Sequence, residues 1–313
     1  MINSKHLPKG KAGGYLALAI TCVVWGTTWV ASKIGIDEIP ALQMASIRQL
    51  IGGTCFVLFF MLYKKLPFPN LKQLGWLMVL ALLMFVFANG LSTWSLEYIP
   101  TGLSALIGAL YPLSVVIIEM VFFKARDMTV LTFTGLLLGI AGIGIVFYES
   151  AFNHQPGGFL FGVGLSVTAM LSWSVGTLIL TKANIKMNPY YAVGWQMLIS
   201  SVMLYVFANI TGQTIPFETI NGKAWIVIAY LVIMGSIISF VAFIYSMKKL
   251  PVAVASLYAY INPLVAMVVA AIILKERLTV YILWGSIVTL LGVFLVNYSI
   301  KRGNKKIIAE PEV

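Results

Sequence analysis

Long apolar runs separated by short polar breaks recur from end to end of the chain, at residues 14–34, 41–63, 74–95, 101–123, 130–149, 158–181, 189–211, 222–246, 251–274 and 279–300. Each is close to the roughly 20 residues a helix needs to cross a hydrocarbon layer about 30 Å thick. Barrel strands would be about 9–11 residues long and polar at every second position. These runs are twice that length and apolar on all faces, so the pattern predicts an all-α integral membrane protein with ten transmembrane helices.

The order of features is duplicated. IPTGLSALIGALYP at 99–112 aligns with LPVAVASLYAYINP at 250–263, so that Pro100 and Pro112 match Pro251 and Pro263. RQLIGG from Arg48 aligns with QMLISS from Gln196, Trp25 with Trp173, and TVLTFTGLLLGIAGIGIVFY with TVYILWGSIVTLLGVFLVNY. Five spans per unit is an odd number, so the second unit enters the membrane from the opposite side. The prediction is two inverted five-helix repeats, at 14–149 and 158–300, between short tails at 1–13 and 301–313. Halves related in this way can open a shared cavity to either side in turn, which points to transport.

Composition agrees and adds an orientation. Of 313 residues 60% are hydrophobic and only 10% charged, and mean hydropathy is +0.95, which leaves too little polar material to cover a soluble protein. The formal charge of +11 does not mark nucleic-acid binding, because the basic residues are spread through loops rather than gathered on a soluble domain. With the N-terminus in the cytoplasm, inner segments carry sixteen Lys and Arg, from Lys5 to Lys306, and outer segments carry four, Lys33, Lys223, Lys275 and Arg277. That bias predicts that both termini are cytoplasmic. The first apolar run is too long for the core of a cleaved signal peptide, and no A-x-A-like site follows it, so it is expected to stay as a helix. Cys22 and Cys55 fall within spans, where cysteine acts as a small hydrophobe, and they indicate neither a disulfide framework nor a redox compartment.

With WGTTWVASK in the first span, LEYIPTGLSALIGALYP leading into the fourth, KKLPVAVASLYAYINPLVA leading into the ninth and LKERLT after it, the chain resembles EamA-type members of the drug/metabolite transporter superfamily. The resemblance covers about residues 14–300 and lies in the duplicated order more than in any one motif. It implies a central cavity between the halves and export of amino acids or other small metabolites across a bacterial inner membrane. One departure stands out: such proteins commonly carry Glu-Arg after both the fourth and ninth helices. Glu276 and Arg277 fit, whereas the first half reads KARD, with Ala125 where the glutamate would be.

Polar and kinking residues inside the spans are the candidates for function. A proline within a helix removes a backbone N–H and frees a carbonyl that lipid cannot satisfy. Pro112 and Pro263, each twelve residues after the proline that opens its helix, therefore predict matched kinks in a moving core. Gly102, Ser104, Gly108, Ser114, Ala253, Ala255, Ser256 and Ala259 crowd the same two helices and are expected mostly to serve close packing. Trp25, Asn89, Trp94, Tyr111, Trp173, Trp195, Gln196, Tyr258, Tyr260 and Asn262 also lie inside spans. An amide facing lipid is costly, so some of this set must line a polar interior, one suited to neutral or zwitterionic solutes of moderate size.

Arg48 and Glu119 are formal charges within spans, and such charges are candidate functional sites. At about 1.5 Å of rise per residue, their distances from opposite helix ends leave a vertical gap of about 14 Å, so no direct salt bridge is expected. Side chains lean toward the helix N-terminus, outward for both helices. A long Arg48 can thereby reach the headgroups, while the shorter Glu119 leans deeper into the membrane. Glu119 then faces a wet cavity open to the cytoplasm, pairs with a basic loop residue such as Lys124 or Lys64, or holds a proton, which would suit proton coupling.

His6 sits in a tail and His154 in a loop, and no span holds paired carboxylates. Neither a catalytic constellation nor a His/Cys metal site is indicated, and no cofactor; ATP-driven transport would need a separate subunit. The leading expectation is a secondary carrier exporting amino acids or similar small metabolites by alternating access, with a small-molecule solute and the lipid bilayer as its partners. Uptake or facilitated diffusion is the alternative within transport, and a membrane-embedded enzyme the alternative outside it. No motif specifies an oligomeric state.

Overall fold

The computed structural model describes residues 11–123, 129–152, 157–183, 185–255 and 257–309. These residues form helices and no strands. In lipid that is the expected solution, because a helix satisfies its own backbone N–H and C=O groups. Eight helices are long and apolar enough to cross a membrane: α1 (Ala12–Ile36), α2 (Ala41–Tyr63), α3 (Leu71–Ser95), α4 (Thr101–Phe122), α6 (Phe159–Lys182), α7 (Pro189–Ile210), α8 (Gly222–Lys249) and α10 (Val280–Ser299). Two shorter apolar helices, α5 (Val130–Val146) and α9 (Tyr258–Ile273), complete the ten. The backbone of α5 stays helical to Phe152, and a helical turn at Val252–Ala255 precedes α9, so both agree with full-length spans.

Local sequence sets the helix starts. Asn70 opens α3 with a reciprocal cap: its Oδ1 accepts from the Gln73 amide at 2.9 Å, and Gln73 Oε1 accepts from the Asn70 amide at 3.0 Å. Asn221 opens α8 by accepting from the Ala224 amide at 2.9 Å. Asn188, with Pro189 as the first helical residue, opens α7. Each asparagine oxygen satisfies an N–H that the first helical turn leaves unpaired.

The two halves interlock. α1 packs on α8 and α9, and α6 packs on α3 and α4, so the first helix of each half belongs to the wall of the other. The remaining helices pair as α2 with α7 and α5 with α10. Small residues set how closely they pair. A Cβ on Gly135 would lie 2.7 Å from the Gly292 carbonyl oxygen, and one on Gly142 would lie 2.6 Å from that of Gly285. Number rises along one helix as it falls along the other, so α5 and α10 run antiparallel, and Gly135 and Gly285 occupy matching repeat positions. In the α2–α7 pair, Ser46 Oγ donates to the Ser201 carbonyl at 2.9 Å, and a Cβ on Gly53 would stand 2.9 Å from the Gly194 carbonyl oxygen. Between helices in lipid, where apolar burial offers little gain, such close contact and interhelical hydrogen bonding supply the attraction.

Two features depart from simple repetition of α-helix. α3 and α8 widen into π-helical turns over Ala81–Gly90 and Leu231–Ile238, matching places in the two halves; such turns recur at functional sites. α4 breaks between Gly108 and Tyr111, just before Pro112. Pro263 instead sits inside unbroken α9, and the break lies between Ala255 and Tyr258. The prolines match, but the breaks are offset by about one helical turn.

Candidate functional site

A cavity of about 190 Å³ lies where the halves meet. From α1, Trp25, Thr28, Trp29 and Ser32 reach it, and from α6, Ser166, Ala169, Met170 and Trp173. Both sets have the i, i+3, i+4, i+7 spacing of one helix face. α3 adds Asn89, Ser92 and Thr93, α4 adds Ser104, Gly108 and Tyr111, α8 adds Phe240, α9 adds Tyr258, Ala259, Asn262 and Pro263, and α2 adds Arg48.

Hydrogen bonds tie this wall across the halves. Trp29 Nε1 donates to Asn262 Oδ1 at 3.1 Å, and Trp25 Nε1 to the Gly235 carbonyl at 3.2 Å. Gln49 Nε2 donates to Asn89 Oδ1 at 3.2 Å. Ser104 Oγ lies 2.9 Å from Ser95 Oγ and 3.1 Å from Ser166 Oγ, a hydroxyl chain through α3, α4 and α6. Pro112 and Pro263 lack the N–H groups that would meet the carbonyls of Gly108 and Ala259. Those two residues match in the repeat, and both line the cavity.

Toward the end that bears the termini, aromatic rings close the space. Trp25 lies 5.3 Å from Phe240, 5.1 Å from Phe243 and 5.5 Å from Tyr258, centre to centre. Leu18, Cys22, Leu250 and Ala255 pack in the same cluster. Tyr111 stacks on Tyr258 at 6.1 Å. The cavity therefore leans toward the opposite end, where Ser32, Thr93 and Leu96 border it. At that end Glu276, in the loop between α9 and α10, accepts from the Thr101 amide at 2.9 Å and the Gly102 amide at 3.3 Å. It caps the first turn of α4. Ala125, at the matching loop position, lies outside the described residues, as does Lys124.

Of the residues anticipated from sequence, Trp25, Asn89, Tyr111, Trp173, Tyr258, Asn262, Arg48 and Pro263 line the cavity, and Pro112 adjoins Tyr111. Trp94, Gln196, Tyr260 and Glu119 do not. Trp94 donates to Glu97 Oε2 at 3.1 Å and packs on Phe161 and Phe207, off the α3 face that carries Asn89 and Thr93. Tyr260, two residues from both Tyr258 and Asn262 and so on the other side of α9, donates its hydroxyl to the Val293 carbonyl at 3.2 Å. Gln196 is buried on α7, a helix with no residue in the wall. Trp195 is likewise buried there against Tyr191. Glu119 is half-buried on α4, beyond the cavity. Nor does Arg48 reach for headgroups: it is 7% exposed, and its Nε donates to Ser236 Oγ at 3.0 Å.

Sequence reasoning passed over Thr28, Trp29, Ser32, Ser92, Thr93 and Ser166, and took Ser104 and Gly108 for packing residues. Trp29 carried a usable signal, one helical turn from Trp25 within WGTTWVASK. Thr28, Ser92 and Thr93 carried none, because a hydroxyl in a helix can bond its own backbone, as Thr28 Oγ1 does to the Trp25 carbonyl at 2.7 Å and Ser92 and Thr93 do to that of Asn89.

The EamA-like transporter family matches residues 12–148 and again 160–298, one copy for each half. The chain belongs to the EamA-like transporter family. It is similar to the uncharacterized transporter YvbV of Bacillus subtilis, 28% identical over 301 residues that cover 94% of this chain and 93% of that one. It is also similar to the uncharacterized inner membrane transporter YedA of Escherichia coli K12, 28% identical over 253 residues, 80% of this chain and 79% of that one. A solved crystal structure superposes with a TM-score of 0.64 over 93% of this chain and 98% of that one at 15% identity, a likeness of fold. As an EamA-like member, the protein is a multi-pass membrane transporter.

Proposed function

We propose that this EamA-like transporter is a secondary carrier that exports small amphipathic metabolites, amino acids among them, across a bacterial inner membrane by alternating access. The observation that carries this reading is one cavity walled by corresponding helices of both halves, α1, α3 and α4 with α6, α8 and α9. Rocking one half on the other would pass its contents across the membrane. The rings of Trp25, Trp29, Tyr111, Trp173 and Tyr258 suit an apolar body, and Asn89, Asn262 and the wall hydroxyls suit a polar end. The sixteen-to-four distribution of basic residues favours a cytoplasmic position for both termini. The aromatic cluster then faces the cytoplasm and the cavity leans outward, as in a carrier at the release end of its cycle.

Counterflow into proteoliposomes of purified protein, loaded in turn with individual amino acids and common metabolites, tests this. Exchange is expected for amphipathic solutes and is expected to fall in Tyr111→Ala and Asn262→Ala. Absence of exchange for every solute, or exchange that neither variant changes, would count against it. Glu119 is the coupling candidate: an imposed pH gradient is expected to drive net flux in the wild type and not in Glu119→Gln. Wild-type flux indifferent to the gradient would end that part of the proposal.

A further inference from the structure

We infer that Arg48 is a recognition point for carboxylate, so that the cavity takes small amphipathic organic acids with the charged end on the guanidinium and the apolar body on the aromatic wall. This deepens the carrier reading and rests on it. Arg48 is 7% exposed and is the only Lys, Arg, Asp or Glu among the described residues that line the cavity. Among the described residues no carboxylate is paired with it; its one hydrogen-bond partner there is Ser236. A guanidinium does not shed its proton, and burying one without a counter-charge is costly. Among the described residues the wall thus carries a single positive charge that no carboxylate neutralises.

Geometry favours a ligand rather than a lattice of internal bonds as its partner. Among the described residues Nε alone is engaged, by Ser236 Oγ at 3.0 Å, and that bond orients the plane of the group. The two terminal nitrogens have no acceptor among the described residues and remain for a bidentate contact, the arrangement a carboxylate matches. Nη2 stands so close to Gly235 that a Cβ there would meet it at 3.0 Å, so glycine at this π-helical turn makes room for the head group.

The nearby amides add donors. The Trp29 indole can only donate, which fixes Asn262 with its oxygen toward Trp29 and leaves its NH2 without a partner among the described residues. Gln49 Nε2 donates both to the Phe85 carbonyl at 3.4 Å and to Asn89 Oδ1 at 3.2 Å, which fixes Asn89 in the same sense. A ligand rich in acceptors answers all three groups. The charge also belongs to one half only: Gln196, the matching residue, is buried away from the cavity. The acid end of a solute is therefore held on the α2–α8 side.

The purified protein in detergent is titrated with phenylacetate, its neutral amide phenylacetamide and the cationic phenethylamine, with binding followed by tryptophan fluorescence. Acetate and acetamide, and indole-3-acetate and its amide, extend the range of sizes. At least one carboxylate is expected to bind about tenfold or more tightly than its amide, the gain of a charge-assisted contact. Arg48→Gln, which installs the residue of the matching repeat position, is expected to erase that ratio, and Arg48→Lys to restore part of it. Carboxylates no tighter than their amides throughout, a preference for the amine, or a ratio unchanged in Arg48→Gln would each overturn the inference. The wild-type ratio decides the first two without any variant. Tyr111→Ala separates the two readings, because it should weaken acid and amide alike. Binding that fails in Tyr111→Ala but keeps its ratio in Arg48→Gln would remove the carboxylate point and leave the cavity as the solute site. Binding indifferent to both variants would remove both.

Discussion

Gly142 of α5 and Gly285 of α10 meet backbone to backbone: a Cβ on Gly142 would stand 2.6 Å from the Gly285 carbonyl oxygen and 2.4 Å from the Thr289 amide nitrogen. Neither atom is the free end of a flexible side chain, so a methyl group there must part the helices. Gly142→Ala is expected to destabilise the protein by about 1–3 kcal/mol, the range for overpacking a close contact. Gly144 on the same helix has nothing within 4 Å of its built Cβ among the described residues. Gly144→Ala is expected to be neutral or to gain up to about 1 kcal/mol from helix propensity. Thermal melting in detergent compares the two, and equal effects would refute the glycine seam.

Pro112→Ala and Pro263→Ala return an N–H to the carbonyls of Gly108 and Ala259, both of which line the cavity. Each variant is expected to melt at a higher temperature and to exchange solute about tenfold more slowly, a barrier change near 1.4 kcal/mol. A variant that exchanges at the wild-type rate would show that its kink is passive.

The ten helices and two halves were legible in the sequence because lipid demands both apolar length and internal backbone bonding, and the motif order is duplicated. That Trp25, Asn89, Tyr111, Trp173, Tyr258 and Asn262 face one space follows from the cost of polar groups in lipid. The direction each inward residue takes was not legible. In a ten-helix bundle a polar atom has several protein neighbours, and Tyr260 and Trp94 bond to α10 and to Glu97 instead. Arg48 failed the headgroup expectation because helix direction tells how a side chain leans along the axis, not where around the axis it points. The π-helical turns at Ala81–Gly90 and Leu231–Ile238 left no signal in composition.

Glu276 supplies both hydrogen bonds to the first amides of α4. An acceptor with negative charge at a helix start satisfies unpaired N–H groups and complements the helix dipole. Glu276→Ala is expected to cost about 1 kcal/mol, and Glu276→Gln less, because the amide oxygen still accepts. Melting temperatures in the order wild type, Gln, Ala check this, and an Ala variant as stable as the wild type would refute it.

Glu38 accepts from Lys223 Nζ and Asn221 Nδ2, both at 2.6 Å, joining the α1–α2 loop to the start of α8. These bonds hold its carboxyl below the ordinary value of 4.5. A lowered folded value means that the stabilisation is full above the unfolded value and fades as pH falls through the folded one. The difference in melting temperature between wild type and Glu38→Gln is therefore expected to be flat near neutrality and to shrink on acidification below the ordinary value. Salt should also shrink it, because the pair is solvent-exposed. A difference that widens in acid would contradict the assignment.

Phe243 completes the ring cluster below the cavity, 5.1 Å from Trp25 and 5.2 Å from Tyr258. Cys22, 2% exposed, packs into the same cluster from the side of the termini, which makes its thiol a reporter of closure at that end. In a Cys55→Ser background, Cys22 is expected to react slowly with a polar thiol reagent. Phe243→Ala removes a ring from the seal without touching Cys22 chemically, and is expected to raise the labelling rate by about tenfold or more as local opening becomes cheaper. A solute that fills the cavity from the far side should leave the slow wild-type rate in place, because the cluster stays closed beneath it. Labelling that Phe243→Ala does not change would mean that the seal lies elsewhere, and that the aromatic cluster serves packing alone.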